Sequence, residues 1–125
     1  MDLTKLNQFM ELERVNCEWA ASQTMLDLIN EIRDELVELE DEILAQNKND
    51  IPEELADVFS DILLLIHIAE RDGEISSKED IVKRAYAKKL RRKGWVLEGK
   101  KLSRQEASRI WHTAKKLEKE KKVSA

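Results

Sequence analysis

Residues 31–61 read EIRDELVELEDEILAQNKNDIPEELADVFSD, and the spacing of their side chains decides the fold class. In the first half Ile32, Leu36, Leu39 and Ile43 recur at helical steps, and Met25, Leu28 and Ile29 extend the same stripe upstream. Steps of three and four place side chains on one face of an α-helix, so the stripe is the apolar side of a helix over about 22–46. The polar run Asn47-Lys48-Asn49-Asp50 closes it. A second helix opens near Ile51-Pro52, because Pro is tolerated in a first turn, and Asp50 with Glu53 has the form of a capping box. It runs to about Asp72 and stops at Gly73, a residue suited to a helix C-terminus.

Working outward, a further helix is expected upstream over about 3–20. Downstream, Ser76 with Glu79 forms a capping box and opens a helix to about Arg92, which Gly94 breaks. A short loop begins at Trp95, and Ser103 with Glu106 opens a last helix through Trp111 and Leu117. Three Gly, one Pro and abundant Leu, Glu, Lys and Ala all favour helix. Short connections make successive helices antiparallel, so the fold class is all-α, an antiparallel bundle of about four to five helices. The 125 residues support one domain, 1–125, whose basic end from about 116 to 125 is expected to fray. No internal repeat or low-complexity linker interrupts it.

Composition narrows the function classes. One cysteine, Cys17, excludes a disulfide within the chain and suits a reducing compartment, so a cytoplasmic protein is expected. No apolar run approaches the roughly 18 residues of a membrane span, and the first residues lack a signal-peptide layout. The net charge of −4 conceals an asymmetry: through Asp80 there are 22 acids and 6 bases, and from Ile81 onward 16 bases and 4 acids. The basic third could meet nucleic acid, a membrane surface or a small polyanion, but the field of the acidic part repels nucleic acid. Carboxylates holding a cation, with bases holding phosphates around it, fit the asymmetry better.

The acids are ordered. Glu35 and Glu38 lie three apart on the second helix, and Glu54, Asp57 and Asp61 occupy one face of the third. Acids make up 26 of 125 residues, so one such pair means little by itself, and Glu31, Glu40, Asp41 and Glu42 read as solvated surface. The third helix is different, because Val58, Phe59, Ile62, Leu63, Leu64, Leu65, Ile66 and Ile68 surround its acids. A helix apolar on nearly every side is expected to be buried, and Asp57 and Asp61 then need partners. A basic residue could serve, but bases are scarce nearby; a hard divalent cation such as magnesium or manganese is the more economical partner.

These residues resemble the MazG-type nucleoside triphosphate pyrophosphohydrolases of the all-α pyrophosphohydrolase superfamily. The family signature, E-x-x-E followed on the next helix by E-x-x-D, stands here as Glu35-Leu36-Val37-Glu38 and Glu54-Leu55-Ala56-Asp57, with Asp34 as the acid before the first Glu. Cys17-Glu18-Trp19 followed by Gln23-Thr24 is similar to a C-P-W…Q-T stretch, with Glu18 where the family has Pro. Lys89 to Lys93 followed by Gly94-Trp95-Val96 resembles the basic end of a fourth helix, and Trp111 with Lys115 resembles a W-x-x-x-K in the last.

The resemblance implies a MazG-like fold and Mg2+-dependent hydrolysis, Mn2+ being an alternative, of nucleoside triphosphates to monophosphate and pyrophosphate, with a role in clearing unwanted nucleotides. By carry-over Glu35, Glu38, Glu54 and Asp57 hold the metal and form the catalytic set. Lys89, Arg92 and Lys93 face the phosphates, Trp111 contacts the base and Lys115 supports the phosphates. Asp61 shares the motif face but lies outside the signature, which suits an outer-shell role orienting water. A homodimer or homotetramer is implied, with no membrane or nucleic-acid partner. Rival assignments are a phosphoribosyl-ATP pyrophosphohydrolase, a non-catalytic helical interaction module and a basic-tail nucleic-acid binder. Elsewhere His67 reads as a core or interface histidine, Phe9, Phe59 and Tyr86 as core, Cys17, Trp19 and Trp95 as packing, and His112 and the lysines from Lys116 as surface. Trp111 stays open between stacking and packing.

Overall fold

The computed structural model describes residues 1–124, with side chains described through Lys122. Its elements are α1 (Thr4–Asn16), α2 (Glu18–Ser22), α3 (Met25–Leu44), α4 (Ile51–Arg71), α5 (Lys78–Lys93), a 3-10 turn over Gly94–Val96, and α6 (Arg104–Ser124). All-α is correct, and no strand occurs among the described residues. The helices number six rather than four to five, because the expected first helix over 3–20 breaks at Cys17, whose backbone is extended (φ −90°, ψ 116°). A long-range contact accounts for the break. The Arg71 guanidinium donates to the carbonyls of Arg14 (3.1 Å), Ala20 (3.1 Å) and Gln23 (3.0 Å), and so takes the Arg14 carbonyl that a continuous helix would have bonded to the Glu18 N–H. Helix α6 continues through the lysines expected to fray, as far as Ser124; Ala125 lies outside the described residues.

The chain divides into two compact units, Met1–Lys78 and a second from Glu79 onward. In the first, α3 packs along α4, and α1 packs on α2 and α4. Acids at successive positions settle the register: Glu31 faces Asp61 and Glu42 faces Glu54, so α3 and α4 run antiparallel. Met10, Leu28, Leu63, Leu64 and Ile68 form the core, with Leu6, Met25 and Leu65 packed on it. Each large aliphatic side chain so removed from water contributes about 2 kcal/mol.

The ends of α3 show local chemistry at work. Thr24 Oγ1 accepts from the Asp27 N–H (3.1 Å) while Asp27 returns a bond to the Thr24 N–H (3.0 Å), a complete capping box. At the other end Gln46 takes a left-handed φ of 56°, and the Asn47 N–H reaches the Glu42 carbonyl at 3.0 Å. Helix α4 ends in the same way at Gly73 (φ 75°), where the Glu74 N–H bonds to the Ala69 carbonyl at 2.9 Å. The capping box expected at Asp50 and Glu53 does not form. Asp50 caps no backbone group, because its carboxylate accepts from Asn47 Nδ2 at 2.6 Å.

His67 is core, fully buried, with Nε2 2.9 Å from Asn7 Oδ1, so its pKa is pushed down by burial and by Lys78 and Arg14. Beside it Arg14 bonds Glu70 (2.9 Å), Glu11 (2.6 Å) and the His67 carbonyl (3.1 Å). Other core expectations fail: Phe9, Phe59 and Tyr86 are 66%, 39% and 59% exposed, and Trp19 is exposed as well. Helix α4 is likewise not buried all round, since Leu55, Phe59 and Ile62 open one face to solvent in the single chain. In the second unit, no described side chain is fully buried. Ser103 Oγ accepts from the Glu106 N–H (3.1 Å) at the start of α6, as its sequence suggests.

Candidate functional site

The α3–α4 pair carries the acids. Glu31, Glu35 and Glu38 project from α3 at steps of four and three; Glu54, Asp57 and Asp61 project from α4 at steps of three and four. Because the helices are antiparallel, the strips meet in opposite order. Carboxylate oxygens of Glu35, Glu38 and Glu54 lie within 4.8 Å of one another, and so do those of Glu31, Glu35 and Asp61. Glu35 belongs to both groups and sits at their centre.

Crowding like charges costs free energy, and the proton affinities record it. The pKa of Glu35 is raised from 4.5 to about 7, by burial first and then by Glu38, Asp57 and Asp61. Glu54 is raised by burial and by Glu38, Asp57 and Glu42. Asp61 is raised by burial, Glu31, Asp57 and Glu13. One oxygen each of Glu35 and Glu54 is buried with no hydrogen-bond partner. Among the described residues no ion pair reaches any of these six acids. Buried carboxylate oxygens lacking both base and donor, in an all-oxygen set, fit a hard divalent cation.

Two expectations need adjustment. Asp57 is exposed and stands outside both three-residue groups, although its charge acts on Glu35, Glu54 and Asp61. Glu31, expected as solvated surface, is half-buried and shares a group with Glu35 and Asp61. The only signal for it in the sequence is its place four residues before Glu35, and that gains meaning only once the register sets Asp61 opposite. Glu13 of α1 carried no sequence signal at all.

The bases gather within the second unit. Lys89, Arg92, Lys93 and Trp111 line a cleft of about 230 Å³ together with Ala85 and Lys88. Lys115 Nζ lies 4.3 Å from the Trp111 ring centre and the Arg92 guanidinium 5.6 Å from it, so the indole holds two cations. Glu118 accepts from Arg92 Nη2 (2.9 Å) and Arg91 Nε (3.0 Å), which lowers its pKa. Arg92 Nε remains buried without a partner. His112 is exposed, with its ring edge-on to Trp111.

An all-α protein whose antiparallel helices converge these carboxylates offers an all-oxygen donor set of the kind that suits a hard divalent cation. The family described as MazG nucleotide pyrophosphohydrolase domain matches residues 23–97, more than half of the chain, and the chain belongs to that family. It is also similar to the crystal structure of a mazG-related protein from Thermotoga maritima, with 27% identity and a TM-score of 0.83 over 90% of this chain and 98% of that one. Comparison with curated proteins gives no match. Family membership supports nucleotide pyrophosphohydrolase function in general, and proteins of the family are generally dependent on divalent metal ions. Among the described residues no helix is long and apolar enough to cross a membrane.

Proposed function

We propose that the protein hydrolyses nucleoside triphosphates, ribo- or deoxyribo-, to the monophosphate and pyrophosphate in a Mg2+-dependent reaction, with Mn2+ as a substitute, and that it clears unwanted nucleotides in the cytoplasm. The observation that carries this is the convergence of Glu35, Glu38 and Glu54 around buried carboxylate oxygens that no base among the described residues neutralises. Glu35, Glu38 and Glu54, whose oxygens converge, would hold the cation, with Asp57, outside that group, as the fourth acid. When bound, it neutralises charge on the phosphate chain and makes water a stronger nucleophile near neutral pH. Asp61, beyond the four-acid signature, accepts a hydrogen bond from water and orients it. Attack at the α-phosphorus forms the monophosphate, and the pyrophosphate leaves.

Lys89, Arg92, Lys93 and Lys115 contact the phosphates through charge-assisted bonds. Trp111 keeps Arg92 and Lys115 in place, and Glu118 fixes the Arg92 guanidinium. The chain works as one domain, residues 1–125, in a homodimer or homotetramer. In support of one domain, the family match crosses the division between the two units, and the second unit has no core of its own among the described residues.

The test is product identification over a panel of triphosphates, with Mg2+ and with chelator. Monophosphate and pyrophosphate should form only with the metal. Glu38→Gln, at an exposed position and so harmless to folding, should lower turnover about a hundredfold or more. Diphosphate and orthophosphate as products would contradict attack at the α-phosphorus.

A further inference from the structure

Tyr86, Leu90, Val96 and Leu97 are exposed apolar side chains, and with Lys89 and Lys93 they line a groove of about 270 Å³. Lys89 and Lys93 also line the cationic cleft that holds Arg92 and Trp111. The two concavities therefore share a pair of lysines, one side of which is apolar and the other strongly cationic. A matching ligand carries a flat apolar group within one side chain's length of several negative charges. A nucleotide has that form. The Trp111 ring is a poorer platform, since Lys115 and Arg92 already rest on it and a base would compete with two cations.

We propose that this groove receives the nucleobase, stacked on Tyr86 and flanked by Leu90, Val96 and Leu97, while Lys89 and Lys93 hold the phosphates attached to it. The assignment rests on the triphosphate reading given under Proposed function and adds where the base goes. Among the described residues that line the groove, the polar side-chain groups are the Tyr86 hydroxyl and the two lysine amines. The groove thus separates nucleotides from inorganic polyphosphate more strongly than it separates one base from another.

The experiment measures binding, by calorimetry with Mg2+, of an α,β-methylene nucleoside triphosphate and of inorganic tripolyphosphate to wild type, Tyr86→Ser and Lys89→Ala. Light scattering on each protein gives the mass. Wild type should prefer the nucleotide. Tyr86→Ser should weaken nucleotide about tenfold, the worth of one stacked base, and tripolyphosphate less than about twofold. Lys89→Ala should weaken both. Equal wild-type affinity for the two ligands, or an unchanged nucleotide affinity in Tyr86→Ser, would overturn the base site while leaving the hydrolysis intact. Loss of both ligands with a change in mass in Tyr86→Ser would assign the groove to a second copy of the chain, also overturning it. A wild type that neither binds nor hydrolyses any triphosphate would remove the functional reading together with the groove.

Discussion

Glu35 sets the behaviour of the acidic site toward pH. Its carboxyl, raised from 4.5 to about 7, is largely protonated at pH 6 in the metal-free protein. A cation must displace that proton, so metal affinity falls as the pH drops below about 7, by up to tenfold per unit for one proton. Calorimetry at pH 6.5 in buffers of different ionisation enthalpy should show close to one proton released per metal bound, and none would contradict the raised value. Stability has the opposite sense. A carboxyl raised on folding contributes stability that is complete below its unfolded value of 4.5 and is lost as the pH rises through about 7. The metal-free protein should therefore melt at lower temperature at pH 8 than at pH 5.5, with Mg2+ restoring more at pH 8. Asp61 adds to the Glu35 shift, and Glu31 to that of Asp61. Asp61→Asn should lower the pH at which metal binding is half lost and weaken the metal about tenfold. If both stay as in wild type, Asp61 has no outer-shell role.

At the scale of elements, α3 and α4 were the most legible parts, because everything that specifies them is local. The stripe from Met25 to Ile43 falls on α3, and Pro52 and Gly73 bracket α4. The helix break at Cys17 was illegible because its cause, Arg71, lies more than fifty residues away. The Asp50 capping box failed through competition from Asn47, which outbids the backbone for the same carboxylate. The end of α3 offers a test of this local chemistry. Gln46 holds a left-handed φ of 56°, a conformation that costs a residue with a Cβ about 1 kcal/mol and glycine almost nothing. Gly73 fills the corresponding place at the end of α4. Gln46→Gly should raise stability by up to about 0.5 kcal/mol in urea unfolding, once the greater freedom of glycine in the unfolded chain, about 0.4–1 kcal/mol, is set against the relief. Loss of stability would mean that the Gln46 side chain contributes more than its backbone costs.

For the molecule as a whole, spacing showed that Glu35 with Glu38, and Glu54 with Asp57, share helix faces; the family resemblance singled them out among 26 acids, and the antiparallel hairpin brings Glu35, Glu38 and Glu54 together while Asp57 stands outside that group. Glu31 could not be singled out, since its value depends on the register with Asp61. The core was harder to read for a different reason. An apolar residue signals that it will be covered, not which chain covers it, and Phe9 and Phe59 are open in the single chain. Leu55, Phe59 and Ile62 repeat at steps of four and three along α4, and Phe9, Leu12 and Val15 at steps of three along α1. Contiguous exposed apolar faces of this kind mark association surfaces. Light scattering on the 14.6 kDa chain should accordingly give the mass of two or four copies. Phe59→Asp places a charge on the α4 face without touching the buried cluster of Met10, Leu28 and Ile68. It should shift the protein toward the mass of one chain while circular dichroism stays helical. A wild type that runs as one chain at micromolar concentration, or a Phe59→Asp protein whose mass is unchanged, would exclude this face from the interface.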